Sequence, residues 1–202
     1  LEPTYLFSLG QIGCQCYLVD PEVMATFEKL HFEAYRVGEV HRSIQEMEPV
    51  VRQADLLTFD ISAIRHQDAP GYTPANPFGL TGEEACQLCW YAGLSDQMTS
   101  LGIYEYDPAQ DGQELTAMTI ATMVWYFIEG FYHRKQETDF NSGKFTKYAV
   151  AFNDAPDRMT FFKSKVSEKW WMEVEPLSDE KSPRIVPCSY EDYLQAIKGE
   201  VP

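Results

Sequence analysis

The sharpest change of pattern along this chain falls at Leu56 to Phe59, a run of bulky residues closed by Asp60. A run of that length predicts a parallel strand buried on both faces. The residues after it hold Pro70, Gly71, Pro74, Pro77 and Gly79, and so predict a long loop. Thr81 then opens a helix with Glu84 three residues on, the pattern of a capping box, and Ala85, Cys86, Cys89 and Trp90 form its buried side. Upstream, the first strand is expected at Tyr5 to Ser8. A helix follows from Pro21 to His31, with Val23, Phe27 and Leu30 on one side. A second helix is expected from Gly38 to Gln53, with Val40, Ile44, Met47 and Val51 inward. On its other faces Glu39, His41, Arg42, Glu46 and Arg52 read as solvated.

Downstream, Leu101 to Tyr106 predicts another buried strand. Thr116 to Glu129 predicts a helix that is apolar nearly all round, with Met118, Ala121, Val124, Trp125 and Ile128 at helical spacing. Such a helix is expected to be covered on its outer side by the tail or by another subunit. After the polar stretch 136–144 the period shortens to that of strands, at Phe145 to Phe152, Met159 to Lys163 and Trp170 to Val174. A turn cluster of Asn153, Asp154, Pro156 and Asp157 joins the first two. Ser189 caps a last short helix ending at Gly199. Trp170 and Trp171, with Tyr148, Phe161 and Phe162, read as the packing of a small satellite core. The expected division is residues 1–135 as an α/β unit and 136–202 as a β-rich extension ending in a short helix.

With 202 residues, 45% hydrophobic and 14% aromatic, the chain has the material for a substantial core. A net charge of −15, with sixteen Lys and Arg, argues against nucleic acid or an anionic membrane as partner. A small molecule, a metal or another subunit is expected instead. The chain shows no apolar run long enough for a membrane span and no signal peptide, so a cytoplasmic setting is expected. Five cysteines, an odd number, fit reduced thiols. Cys14 and Cys16 with Cys86 and Cys89 can be drawn as a zinc site, but each pair is also explained by the apolar face it lies on.

A carboxylate at the tip of a buried strand, ahead of a loop and a helix, is how open α/β sheets build sites. The stretch from Asp60 through Ala69-Pro70-Gly71, Pro77 and Gly79-Leu80-Thr81 to Glu84 resembles the last metal motif of the arginase (ureohydrolase) superfamily. Glu105, Asp107, Pro108 and Asp111 resemble the segment that follows that family's last core strand. The extension after residue 135, together with Phe59-Asp60-Ile61-Ser62-Ala63-Ile64-Arg65, is similar to a formimidoylglutamase-like bacterial group.

The resemblance implies a three-layer α/β/α fold with a mainly parallel sheet, of which this chain is the C-terminal half. It implies a parent activity of manganese-dependent hydrolysis of a guanidino or formimino C–N bond. Asp60 would be a metal ligand and Glu84 would contact the cationic end of a small-molecule substrate. The family's second ligand position is Ser62 here, Arg65 replaces a third acidic residue, and His66 replaces the proline after it. A hydroxyl is a poor substitute for a bridging carboxylate. No His or D-x-H-x-D cluster of the family's earlier strands is matched by His31, His41, His66 or His133. The chain is therefore expected to be inactive alone, to pair with an upstream segment or form a homo-oligomer, or to be a non-catalytic binding or assembly subunit of the same fold. An Arg65 turned to Asp60 would supply charge balance without an ion.

Overall fold

The computed structural model describes residues 8–151, 158–174 and 183–200. Most of the strand expected at Tyr5 to Ser8 lies outside them. The first strand described is β1, Gly10–Cys14, which pairs in parallel with β2, Glu33–Arg36. Helix α1, Pro21–Lys29, connects the two, with the Asp20 side chain accepting from Glu22 N–H at its start. No residue of α1 is buried, and Val23 and Leu30 are among the exposed apolar residues.

The helix expected from Gly38 to Gln53 is broken. Ser43, at φ −154°, separates α2, Val37–Arg42, from a 3-10 turn at Ile44–Glu46 and α3, Met47–Gln53. The inward positions Val40, Met47 and Val51 are buried as the spacing predicts. Arg52, expected on a solvated face, is only 6% exposed.

Strand β3, Leu56–Asp60, pairs in parallel and in register with β4, Ser100–Tyr104. Burial on both faces is not observed. Phe59 is buried and Leu57 partly so, while Leu56, Thr58 and Asp60 are exposed. The alternation has period two, so cover is present on one face alone. That cover comes from α4, Gly82–Leu94, and α5, Leu115–Tyr132, whose residues Ala85, Leu88, Cys89 and Met123 share one core with Phe59. Trp90, expected on the buried side of α4, is half-buried.

The two helices touch through glycine. A Cβ on Gly93 would press on the Phe127 carbonyl and lie 3.0 Å from Gly130 Cα, and one on Gly130 would lie 2.7 Å from the Trp90 carbonyl. The apolar outer side of α5, with Met118, Trp125, Ile128 and Tyr132, is exposed. Among the described residues the tail does not cover it. The tail packs on α3 instead.

That tail is an antiparallel sheet in the order β5, Phe145–Ala151; β6, Arg158–Ser164; β7, Trp170–Val174; and β8, Arg184–Cys188. The turn expected at Asn153 to Asp157 lies outside the described residues. Sequence pattern missed β8, which carries Pro187; proline is confined to edge strands, and β8 is the edge. Helix α6, Tyr190–Lys198, lays Tyr193 against Trp170 at 4.7 Å between ring centroids and against Phe161 at 5.3 Å. Phe140, Phe145, Phe162 and Trp171 form a second cluster. The aromatics are thus packing, as expected.

Arg52 joins the two parts. Its Nη2 donates to the carbonyls of Trp170 at 2.9 Å and Cys188 at 3.4 Å, its Nε donates to Glu48, and its guanidinium lies 4.3 Å from the Trp171 ring centre. Mixed α/β architecture is therefore observed, but among the described residues it takes the form of two parallel strand pairs and one antiparallel sheet, without one continuous parallel sheet.

Gly130→Val inserts a branched side chain where α4 and α5 touch. It should lower unfolding free energy by about 1–3 kcal/mol in a urea titration. An unchanged midpoint would show that the helices do not meet there.

Candidate functional site

The loop after β3 returns on itself before α4 starts. Arg65 N–H donates to the Leu80 carbonyl at 2.9 Å, Leu80 N–H to the Ala63 carbonyl at 2.8 Å, and His66 N–H to the Asn76 carbonyl at 2.7 Å. Inside, the Tyr72 hydroxyl donates to the Ile64 carbonyl at 2.8 Å. Ile64, Ala69 and Leu80 are fully buried around it. Gly71 is clamped between the segment after β4 and helix α5: its N–H donates to Thr116 Oγ1 at 2.7 Å and its carbonyl accepts from Asp107 N–H at 2.8 Å. A Cβ there would stand 2.9 Å from both Thr116 and Tyr106, which explains the glycine of Ala69-Pro70-Gly71.

This closure sets the charged groups. Asp60, exposed at the tip of β3, accepts from Ser62 N–H at 2.8 Å. Arg65 does not turn to Asp60; its Nε donates to Asp68 Oδ2 at 2.8 Å. The same oxygen accepts from Gly82 N–H at 2.9 Å, at the start of α4. Asp68 is therefore the hinge of the loop, a role the sequence reading missed, although its spacing of three from Arg65 and its place before Ala69-Pro70-Gly71 were visible.

Glu84 does two things at once. Its Oε2 accepts from Thr81 N–H at 2.8 Å, completing the capping box, while Oε1 lies 2.6 Å from His41 Nδ1. The capping box is as predicted. The His41 contact is not, because His41 and Glu84 are 43 residues apart in sequence and nothing local marks the pairing. Burial pushes the Glu84 carboxyl up, but the hydrogen bonds from His41 and Thr81 outweigh it and hold it below the usual range. Asp111 is occupied structurally, accepting from Ala117 N–H at 2.9 Å, Thr116 N–H at 3.1 Å and the Tyr106 hydroxyl at 3.2 Å. Asp107 makes the expected Asx-type turn to Ala109 N–H.

The donors near Asp60 do not fit a pair of manganese ions. Ser62 offers a hydroxyl, Asp68 is engaged by Arg65 and Gly82, and Arg65 adds positive charge. His66 Nδ1 is buried without a hydrogen-bond partner, a single nitrogen rather than a ligand set. Among the described residues no group of three or more His, Cys, Asp or Glu side chains is arranged to hold an ion. The cysteines likewise do not assemble into a four-ligand site: Cys86 and Cys89 are buried in α4, and burial pushes the Cys89 thiol up to about 12.

Thr81→Ala removes one acceptor at the start of α4 and should cost about 1 kcal/mol of stability. Glu84→Gln tests the charged half of the cap. Because the folded carboxyl titrates below its ordinary value of 4.5, the stabilisation is complete above that pH. It is lost as pH falls through the lowered value. The difference between wild type and Glu84→Gln in thermal unfolding should therefore shrink below pH 4.5. A difference that is the same at all pH values would remove the carboxylate from the account.

A family model described as the arginase family matches residues 6–129. The fold is similar to that of the Trypanosoma cruzi formiminoglutamase solved with Mn2+, at TM-score 0.57 and 18% identity over 61% of this chain and 44% of that one. Formimidoylglutamase from Bacillus subtilis gives TM-score 0.56 and 20% identity over 61% and 42%. Arginase from Bacillus caldovelox gives 0.52 and 22% over 57% and 41%. Curated protein sequences give no match. The chain spans less than half the length of the structures it matches. No helix among the described residues is long and apolar enough to cross a membrane. The matched stretch contains the strand tip at Asp60, the closed loop and the capped helix at Glu84, and covers well over half of the sequence: the chain belongs to the arginase family.

Proposed function

We propose that this chain is the C-terminal part of a formimidoylglutamase-like amidine hydrolase, and that its own contribution is to recognise the cationic end of a guanidino or formimino substrate at Glu84. The observation that carries this is the Glu84 carboxylate itself. Its side chain is 16% exposed, its hydrogen bonds hold the carboxyl below the usual range, and its Oε1 already lies 2.6 Å from a nitrogen, His41 Nδ1. A planar amidinium presents parallel N–H donors to the same kind of oxygen.

Hydrolysis in the family depends on manganese, and the residues present here do not form that centre. The remaining ligands would therefore lie outside residues 1–202, and the three-layer arrangement around a continuous parallel sheet would belong to the larger assembly. Without those ligands this chain binds and does not turn over. Asp60 would be its one carboxylate facing the metals, since Ser62 and Arg65 replace the others.

Titration calorimetry of the purified chain with agmatine, arginine and formiminoglutamate tests the binding. One of them should bind, Glu84→Gln should abolish the heat, and His41→Ala should tighten binding because Oε1 loses its internal donor. Metal analysis after manganese loading should give far fewer than two ions per chain, and no urea or ammonia should be released. Two ions per chain, or turnover, would overturn the reading. Binding unaffected by Glu84→Gln would remove its central residue.

A further inference from the structure

Where the C-terminal sheet docks on the α/β part, the joint is not filled. A cavity of about 260 Å³ lies there, walled by Arg52 of α3, Trp90 and Leu94 of α4, Lys135, Lys169 just before β7, and Trp171 within it. Pockets for drug-sized ligands run from about 300 to 1,000 Å³, so this one suits a smaller molecule. Asp96, Glu137 and His133 also face it.

The acceptors in this wall are largely spent, and the donors are not. Glu137 is buried and accepts from the Ser164 hydroxyl and, at 2.6 Å, from the Ser167 hydroxyl, while Asp96 Oδ2 accepts from Glu137 N–H at 3.0 Å. His133 Nδ1 lies 2.8 Å from the Glu129 carbonyl. Arg52 spends Nε on Glu48 and Nη2 on two carbonyls, but its Nη1 is buried without a hydrogen-bond partner, on a side chain only 7% exposed. Lys169 shares the Glu48 carboxylate with Arg52, each at 3.1 Å. Lys135 makes no hydrogen bond or ion pair among the described residues. An unsatisfied buried donor is destabilising, so an acceptor that reaches it binds with that penalty relieved.

We infer that this cavity binds a small organic carboxylate, whose oxygens accept from Arg52 Nη1 and the two lysines while its apolar body lies against Trp90, Leu94 and Trp171. A guanidinium with a free edge suits a planar carboxylate. By count, three cationic side chains stand against two carboxylates here, in a chain whose net charge is −15. The site is distinct from the candidate substrate position, because Glu84 lies in the first turn of α4 and Leu94 ends it, about 15 Å away along the helix. A ligand held there touches both parts of the chain, so its binding stabilises the joint that Arg52 makes.

Benzoate, phenylacetate and hexanoate, each titrated into the full chain at fixed ionic strength, probe the site through tryptophan fluorescence, since two of the four tryptophans line it. At least one should give a saturable change and raise Tm. The corresponding uncharged amide, and acetate, which has the charge without the body, should bind at least about tenfold more weakly. Lys135→Gln, at an exposed position, should weaken binding about fivefold. Arg52→Lys keeps the charge but withdraws the Nη donors, and should weaken it more than about tenfold. Circular dichroism confirms that each variant is folded, and Lys135→Gln decides the matter if the buried substitution unfolds the chain. No saturable change with any of the three acids, an amide that binds as tightly as its acid, or an affinity unchanged in Lys135→Gln would overturn the inference.

Discussion

The backbone pairing of Ile64 with Leu80 is the constraint on which the rest of the site depends. It closes the fifteen residues between them, 65–79, against the ends of β3 and α4, and the buried Tyr72 hydroxyl satisfies the Ile64 carbonyl. Buried polar backbone left unpaired costs more than most surface contacts return. Once this closure is made, Asp68 meets Gly82 N–H, α4 starts at a fixed place, and Glu84 follows two residues later. The closure draws on backbone groups and a glycine clamped by Thr116, so it tolerates the changes at Ser62, Arg65 and His66.

Those changes redirect charge rather than delete it. Where the family pattern has carboxylates around an ion pair, this chain has Arg65 bonded to Asp68, and Asp68 bonded in turn to the first turn of α4. A negative side chain at a helix start also suits the helix dipole. The strand tip keeps its shape by an internal ion pair, and Asp60 is left with the Ser62 N–H as its partner. Glu84 shows the same economy, with one oxygen in the cap and the other on His41.

The C-terminal sheet is held to the α/β part by a different device. Arg52 is buried, and burial pulls its pKa down against the opposing effect of Glu48, yet its donors reach two carbonyls of the sheet and its plane lies on Trp171. The desolvation of a buried guanidinium offsets much of what its contacts return, while removing those contacts would leave a buried charge unpaired. With the tail committed to α3, the outer side of α5 stays exposed.

What the sequence determined by itself was local. Proline at the start of α1, the capping boxes at Thr81 and Ser189, the strand ending in Asp60 and the aromatic alternation of β6 and β7 are all short-range patterns, and each appears where the pattern puts it. The family motif, a set of spacings within one loop, was legible for the same reason. Only the tertiary structure decided which residues meet across long separations: His41 with Glu84, Arg52 with Trp170 and Cys188, and Gly93 with Gly130. Between local partners it gave Arg65 to Asp68 instead of Asp60. It also decided that β3 is covered on one face, since a short apolar run looks the same whether one layer or two pack against it. Partner choice depends on how elements stack, and side-chain period carries no record of it.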